Sequence, residues 1–184
     1  ISYSQNKISG TSSIETHTNK FIKLNNFNPY NIWSSGSGIS FAMWIKMDNL
    51  SSYVYANRNQ RIFSIASVSN SGDTTSPNRT HQFGIWRTQY EPTRTLSFYY
   101  NDGTSTGSYQ SSAFLTDSTW FHIVWSIDSS GNWAISIDGL DQNVNVTLSL
   151  ANNPHELVFI GGDIANLSGS TYPIYYDNFR IYNR

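Results

Sequence analysis

Large apolar and polar residues alternate with a period of two along much of this chain, and that period is the mark of half-buried β-strands. Phe121, Ile123, Trp125 and Ile127 fall on one face of a segment whose other face carries His122, Val124 and Ser126. Trp133, Ile135 and Ile137 alternate in the same way, and Phe41, Met43 and Ile45 alternate with Ala42, Trp44 and Lys46. Further strands are predicted at Lys20–Leu24, Arg61–Ser67, His81–Arg87, Thr95–Tyr100, Val144–Leu150, Glu156–Ile160 and Tyr175–Tyr182. Asp138-Gly139 supplies the positive φ angles of a tight hairpin, and Asn101-Asp102-Gly103 and Ser130-Gly131-Asn132 separate other strand pairs. No segment has a helical period and no internal repeat occurs. The pattern predicts an all-β protein, a two-sheet antiparallel sandwich forming one domain over residues 1–184.

Composition narrows what such a domain can do. Charged residues make up 12% and aromatics 15%, with a formal net charge of −1. No basic stripe exists to neutralise phosphates, so a nucleic-acid partner is excluded. The longest apolar runs are far too short to span a bilayer, so membrane insertion is excluded as well. With no cysteine, disulfides, thiolate metal sites and cysteine nucleophiles drop out. The chain begins at Ile1 without a leader-like segment, and the expectation is a domain excised from a larger extracellular, cell-surface or virion-surface protein.

Five segments, in order, resemble laminin G-like and pentraxin-like members of the concanavalin A-like lectin/glucanase superfamily. They are Phe41–Lys46, Ser118–Val124 with its W-h-H-v pattern, Trp133–Gly139 ending in Asp-Gly, Phe159-Ile160-Gly161-Gly162, and Tyr176–Asn183. The resemblance implies a jelly roll of two antiparallel sheets, often with a bound calcium ion and a sugar-binding role.

Candidate chemistry is sparse. Glycoside hydrolysis needs two facing carboxylic acids, which the superfamily's glucanases set on one strand as E-x-D-x-E or a variant. Here Glu15, Glu91 and Glu156 are the only glutamates, and none has an acid two residues on. The domain is therefore expected not to be an enzyme. His122 shares a face with Trp120 and Val124 and reads as structural. Asp177 has the parity of Phe179 and Ile181, so it is expected to point inward, where a carboxylate needs a cation or several donors. By the resemblance, that cation is a structural Ca²⁺ held by Asp177, with Asp163 as a second ligand.

Sugar recognition calls for aromatic platforms beside planar polar groups. Trp44, Trp120, Trp125 and Trp133 are assigned to the core. Tyr53, Tyr55 and Tyr109 fall in loop-like surroundings. Trp86, Arg87 and Tyr90, with Asp73 and Asn78 of the polar Ser67–Arg79 loop, form the expected ligand-binding set. The function expected is a non-catalytic carbohydrate-binding or adhesion module whose partner is a glycan or glycoprotein surface. The alternative is a structural or protein-interaction module in a viral or bacterial surface assembly, and a glycoside hydrolase is the least favoured reading.

Overall fold

β-Branched and aromatic residues at every second position fit a pleated surface with one face buried, and they build nearly all of the long strands here. The computed structural model describes residues 2–4, 13–16, 22–24, 38–48, 60–66, 82–87, 95–101, 106–112, 115–148, 157–163, 168–169 and 173–183. A seven-stranded sheet runs in the order β1 (Ser2–Ser4), β2 (Ser13–Thr16), β15 (Ile174–Asn183), β4 (Ile39–Met47), β9 (Trp120–Ile127), β10 (Trp133–Ile137) and β11 (Leu140–Asp141). A six-stranded sheet runs β3 (Ile22–Leu24), β12 (Leu157–Ile160), β5 (Gln60–Ala66), β6 (Gln82–Arg87), β7 (Leu96–Asn101) and β8 (Thr106–Gln110). A short ribbon pairs β13 (Gly162–Asp163) with β14 (Ser168–Gly169). Every ladder is antiparallel. The described residues contain no helix, and so none long and apolar enough to cross a membrane.

The predicted hairpin at Asp138-Gly139 is present, with φ of 52° and 79° at the two turn residues. The expected strand at Val144–Leu150 does not form a ladder. Over its described part it makes one isolated bridge, Thr147 to Asn132, while Val144, Val146 and Leu148 pack on the edge of the core. Tyr109, expected in a loop, sits in β8 beside Phe98, and its hydroxyl donates to the Gln142 carbonyl at 2.6 Å.

The core lies between the inner faces of the two sheets. From the seven-stranded sheet come Phe41, Met43 and Ile45 of β4, Ile123 and Trp125 of β9, and Ile135 of β10; from the other come Phe63, Ile65, Ile85 and Phe98, all buried. A hydrogen bond at Ile62 ties the layers together. In β5 the register slips between Arg61 and Phe63, leaving Ile62 as a bulged residue. Its carbonyl accepts both the Gly161 N–H, at 2.9 Å, and the Tyr176 hydroxyl, at 2.8 Å, reaching across from β15.

A second bulge sits in β15. Asp177 pairs with Trp44 and Arg180 with Ala42, so three steps along β15 match two along β4. Asn178 adopts φ 50°, a left-handed conformation that asparagine tolerates better than most side chains. Ile174 and Tyr176 are buried before the bulge, and Phe179 and Ile181 pack on the core after it. Parity therefore changes at Asn178, and the expectation for Asp177 must be corrected. It belongs with Tyr175 on the outer face, because the extra residue breaks the alternation that links it to Phe179. Asn178→Gly should leave stability within about 0.5 kcal/mol of wild type, whereas Asn178→Val should cost roughly 1–2 kcal/mol from left-handed strain. Urea titration of both variants would check this, and equal stabilities would mean the bulge is not strained by a β-branched residue.

Candidate functional site

The outer face of the seven-stranded sheet follows from the same alternation that fills the core. Register lines its side chains up in four rows. Glu15, Tyr175, Lys46 and Trp120 form the first, and Asp177, Trp44 and His122 the second. Arg180, Ala42, Val124 and Ser136 make the third, and Tyr182, Ser40, Ser126 and Ala134 the fourth. The first two rows are tall, aromatic and charged. The last two are low except at their borders, where Arg180 and Tyr182 stand on β15 and Asp141, paired with Ser136, on β11.

In the tall half, the Trp44 and His122 rings lie against each other, centroids 4.8 Å apart and tilted by 31°. The backbone of His122 is fixed by the hairpin: its N–H donates to the Asp138 carboxylate at 2.7 Å, and its carbonyl accepts the Asp138 N–H at 2.8 Å. Trp44, Trp120 and His122 are half-buried, which corrects the assignment of Trp44 and Trp120 to the core; Trp125 and Trp133 are inside as expected. Lys46 places its Nζ 3.5 Å from Asp48 Oδ1 and 4.3 Å from the centre of the Tyr175 ring. At that length the ion pair is Coulombic, and Oδ1 has no hydrogen-bond partner among the described residues. Burial, then the negative charges of Asp48 and Glu15 and a hydrogen bond to Asp48, push the Tyr175 phenol up to about 12. Tyr175 thus stays a neutral donor at physiological pH, with an aromatic face on the lysine ammonium.

In the low half, Ser40 and Ser126 join hydroxyls at 2.9 Å. The Arg180 guanidinium donates to the Tyr182 hydroxyl at 3.2 Å and to Asn178 Oδ1 at 3.4 Å. Arg180, Asn178 and Tyr182 are all exposed.

The residues expected from sequence are distributed differently. Trp86 and Arg87 lie in β6, paired with Ser97 and Leu96, and only their backbones are described. Asp73, Asn78 and Tyr90 fall outside the described residues, as do Tyr53 and Tyr55. For calcium, Asp163 is in the β13–β14 ribbon and Asp177 in the seven-stranded sheet. The reason for a cation at Asp177 was an inward carboxylate, and that orientation is not found. Among the described residues no three His, Cys, Asp or Glu side chains converge on a metal position. Sequence reasoning passed over Lys46, Tyr175, Arg180 and Tyr182; strand parity was the signal that places Lys46 on the face of Trp44 and turns Arg180 and Tyr182 away from Phe179 and Ile181, while the bulge hid Tyr175.

Two antiparallel sheets packed face to face, with the chain's long strands shared between them, define a jelly-roll sandwich. The chain belongs to the concanavalin A-like lectin/glucanases superfamily, whose laminin G-type model matches residues 16–184. Among solved structures it is similar to an endo-β-1,4-glucuronan lyase from the fungus Trichoderma reesei, with a TM-score of 0.68 and 14% identity over 100% of this chain and 86% of that one. It is also similar to the CBM40 of a Ruminococcus gnavus IT-sialidase bound to α2,3-sialyllactose, with TM-score 0.59 and 11% identity over 93% and 92% of the two chains. Domains LG4-5 of the mouse laminin α1 chain give TM-score 0.59 and 10% identity over 91% of this chain, which spans 41% of the laminin chain. At such identities the likeness is one of fold. No curated protein sequence matches significantly.

Proposed function

We propose that the chain is a non-catalytic carbohydrate-binding module of a larger secreted or surface protein, and that the outer face of the seven-stranded sheet is its binding surface. The observation that carries this reading is the half-exposed Trp44–His122 pair, held on a rigid sheet and flanked by Tyr175, Asp177 and Glu15. An aromatic ring beside planar polar groups suits the apolar face and rim hydroxyls of a pyranose. A structural neighbour of matching size, the CBM40, is described with a bound sialyllactose, which supports the class of ligand. Adhesion through glycoprotein surfaces follows naturally from such a face.

Glycan-array screening followed by calorimetry tests the proposal. Trp44→Ala should weaken binding at least tenfold, equivalent to about 1.4 kcal/mol. Its melting temperature should fall by only a few degrees, since Trp44 packs on the outside of the sheet. Repeating the titration in EGTA shows whether calcium contributes. A broad array without a hit would favour a structural or protein-interaction module. Because one neighbour is a lyase, the hits should also be incubated with the protein; appearance of new chain ends would overturn the non-catalytic reading.

A further inference from the structure

The low half of the outer face contains a charged group that the aromatic half does not explain. β15 borders it with Arg180 and Tyr182, the neighbouring strands contribute Ala42, Val124, Ser126, Ala134 and Ser136 above the buried Ser40, and the exposed Asp141 of β11, paired with Ser136, ends the Arg180 row four strands away. From strand spacing and rise, this floor measures roughly 10 Å across β4, β9 and β10 and 7 Å along them, enough for a sugar ring to lie flat. Arg180 is exposed at its edge, and among the described residues no carboxylate stands within ion-pair distance of it.

A surface arginine that serves only solubility has no need to be held still. Arg180 is tethered on both sides, by the Tyr182 hydroxyl and by Asn178 Oδ1. Those contacts occupy two of the five guanidinium donors and leave the others free for a bidentate acceptor. The Asn178 bulge is part of the arrangement, because the residue at which the strand changes parity also supplies one of the tethers. Asp177 lies one row away toward Trp44, so like-charge repulsion steers an anionic ligand group onto the low floor.

We infer that Arg180 is the carboxylate-recognition residue of this face, and that the saccharides bound carry a uronate or sialate carboxyl group seated against it over the Ala42–Val124–Ser126 floor. The inference rests on the carbohydrate-binding reading and adds the acid to it. Tyr182, 44% exposed beside the guanidinium, offers its ring to the same sugar.

Two ligand pairs isolate the carboxylate: a β-1,4-linked glucuronate tetrasaccharide against cellotetraose, and 3′-sialyllactose against lactose. Calorimetry in 50 mM salt should show at least a tenfold preference for the acidic member of one pair, and the pair that shows it identifies the source of the carboxylate. High salt should reduce that preference, as expected for an exposed charge contact. Arg180→Ala should abolish it, bringing the acidic member's affinity down to that of the neutral member. Arg180→Lys keeps the charge but not the fork and should fall between. Arg180→Gln provides a second neutral variant, and melting curves confirm that each is folded. Equal affinity for acidic and neutral members in the wild type overturns the inference, and so does a preference that survives in folded Arg180→Ala. Neutral binding that persists without acid preference leaves the carbohydrate reading standing alone. Absence of binding to all four, with no hit on a broad array, removes both.

Discussion

Gly161→Ala should lower stability by about 2–5 kcal/mol, making it among the most damaging single-methyl additions in the chain. Two independent effects add. Gly161 has φ +74°, where an L side chain is strained, and a Cβ built there overlaps the Oγ1 and Cβ of Thr16 and lies 2.6 Å from its Cγ2. Thr16 cannot move aside easily, since it is buried and its hydroxyl donates to the Ile174 carbonyl. The same substitution strains the Gly161 N–H bond to Ile62, which extends the β12–β5 ladder. Urea denaturation gives the number. Thr16→Ala should not rescue the variant because the Cβ overlap persists, whereas Thr16→Gly should recover the steric part but not the backbone part. Full rescue by Thr16→Ala would show that the hydroxyl alone was the obstacle.

Trp125→Ala should cost about 3–5 kcal/mol, a large share of the 5–15 kcal/mol that holds a typical domain folded. Its indole sits between both sheets, with ring centroids 5.7 Å from Phe41, 5.6 Å from Phe98 and 4.9 Å from Trp133. Truncation leaves a cavity whose rigid aromatic walls cannot close. Trp120→Ala, five residues earlier on the outer face of the same strand, is the matched control and should cost no more than about 1.5 kcal/mol. Thermal melts of the pair test the facing of β9 directly. Comparable losses at the two positions would contradict it.

These contrasts show what the sequence could reveal. Alternation located β4, β9, β10 and β15 and the Asp138-Gly139 turn, because a strand with one dry face must repeat with period two. The resemblance at Ile160-Gly161 also has a physical basis, since that glycine meets Thr16 where no side chain fits. Short strands such as Ser2–Ser4 and Thr106–Gln110 escaped, because three to five mostly polar residues leave no readable period. For the candidate site, the same parity that buries Phe41, Met43 and Ile45 turns Trp44 and Lys46 outward, so assigning Trp44 to the core set residue type above position. Asp177 was misplaced for a different reason: one inserted residue reverses parity, and nothing in Tyr176-Asp177-Asn178-Phe179 announces a left-handed asparagine. Arg180 gains significance only from the small residues that register brings beside it from strands β4 and β9.

The position of β15 has a consequence for how the chain can be made. This strand lies between β2 and β4 and is the last of the seven to be synthesised. Until Asn183 clears the ribosome, β1–β2 and the β4–β9–β10–β11 block have no ladder joining them, and the buried Tyr176 hydroxyl has yet to reach Ile62, 114 residues upstream. Closure is thus a late, long-range event of the kind that slows β-protein folding. A nascent or truncated chain ending before Ile174 carries two unpaired edges, β2 and β4, separated by the width of one missing strand. Such a gap is a template that the β15 of another copy can fill, so incomplete synthesis of this domain converts directly into a risk of strand exchange between chains.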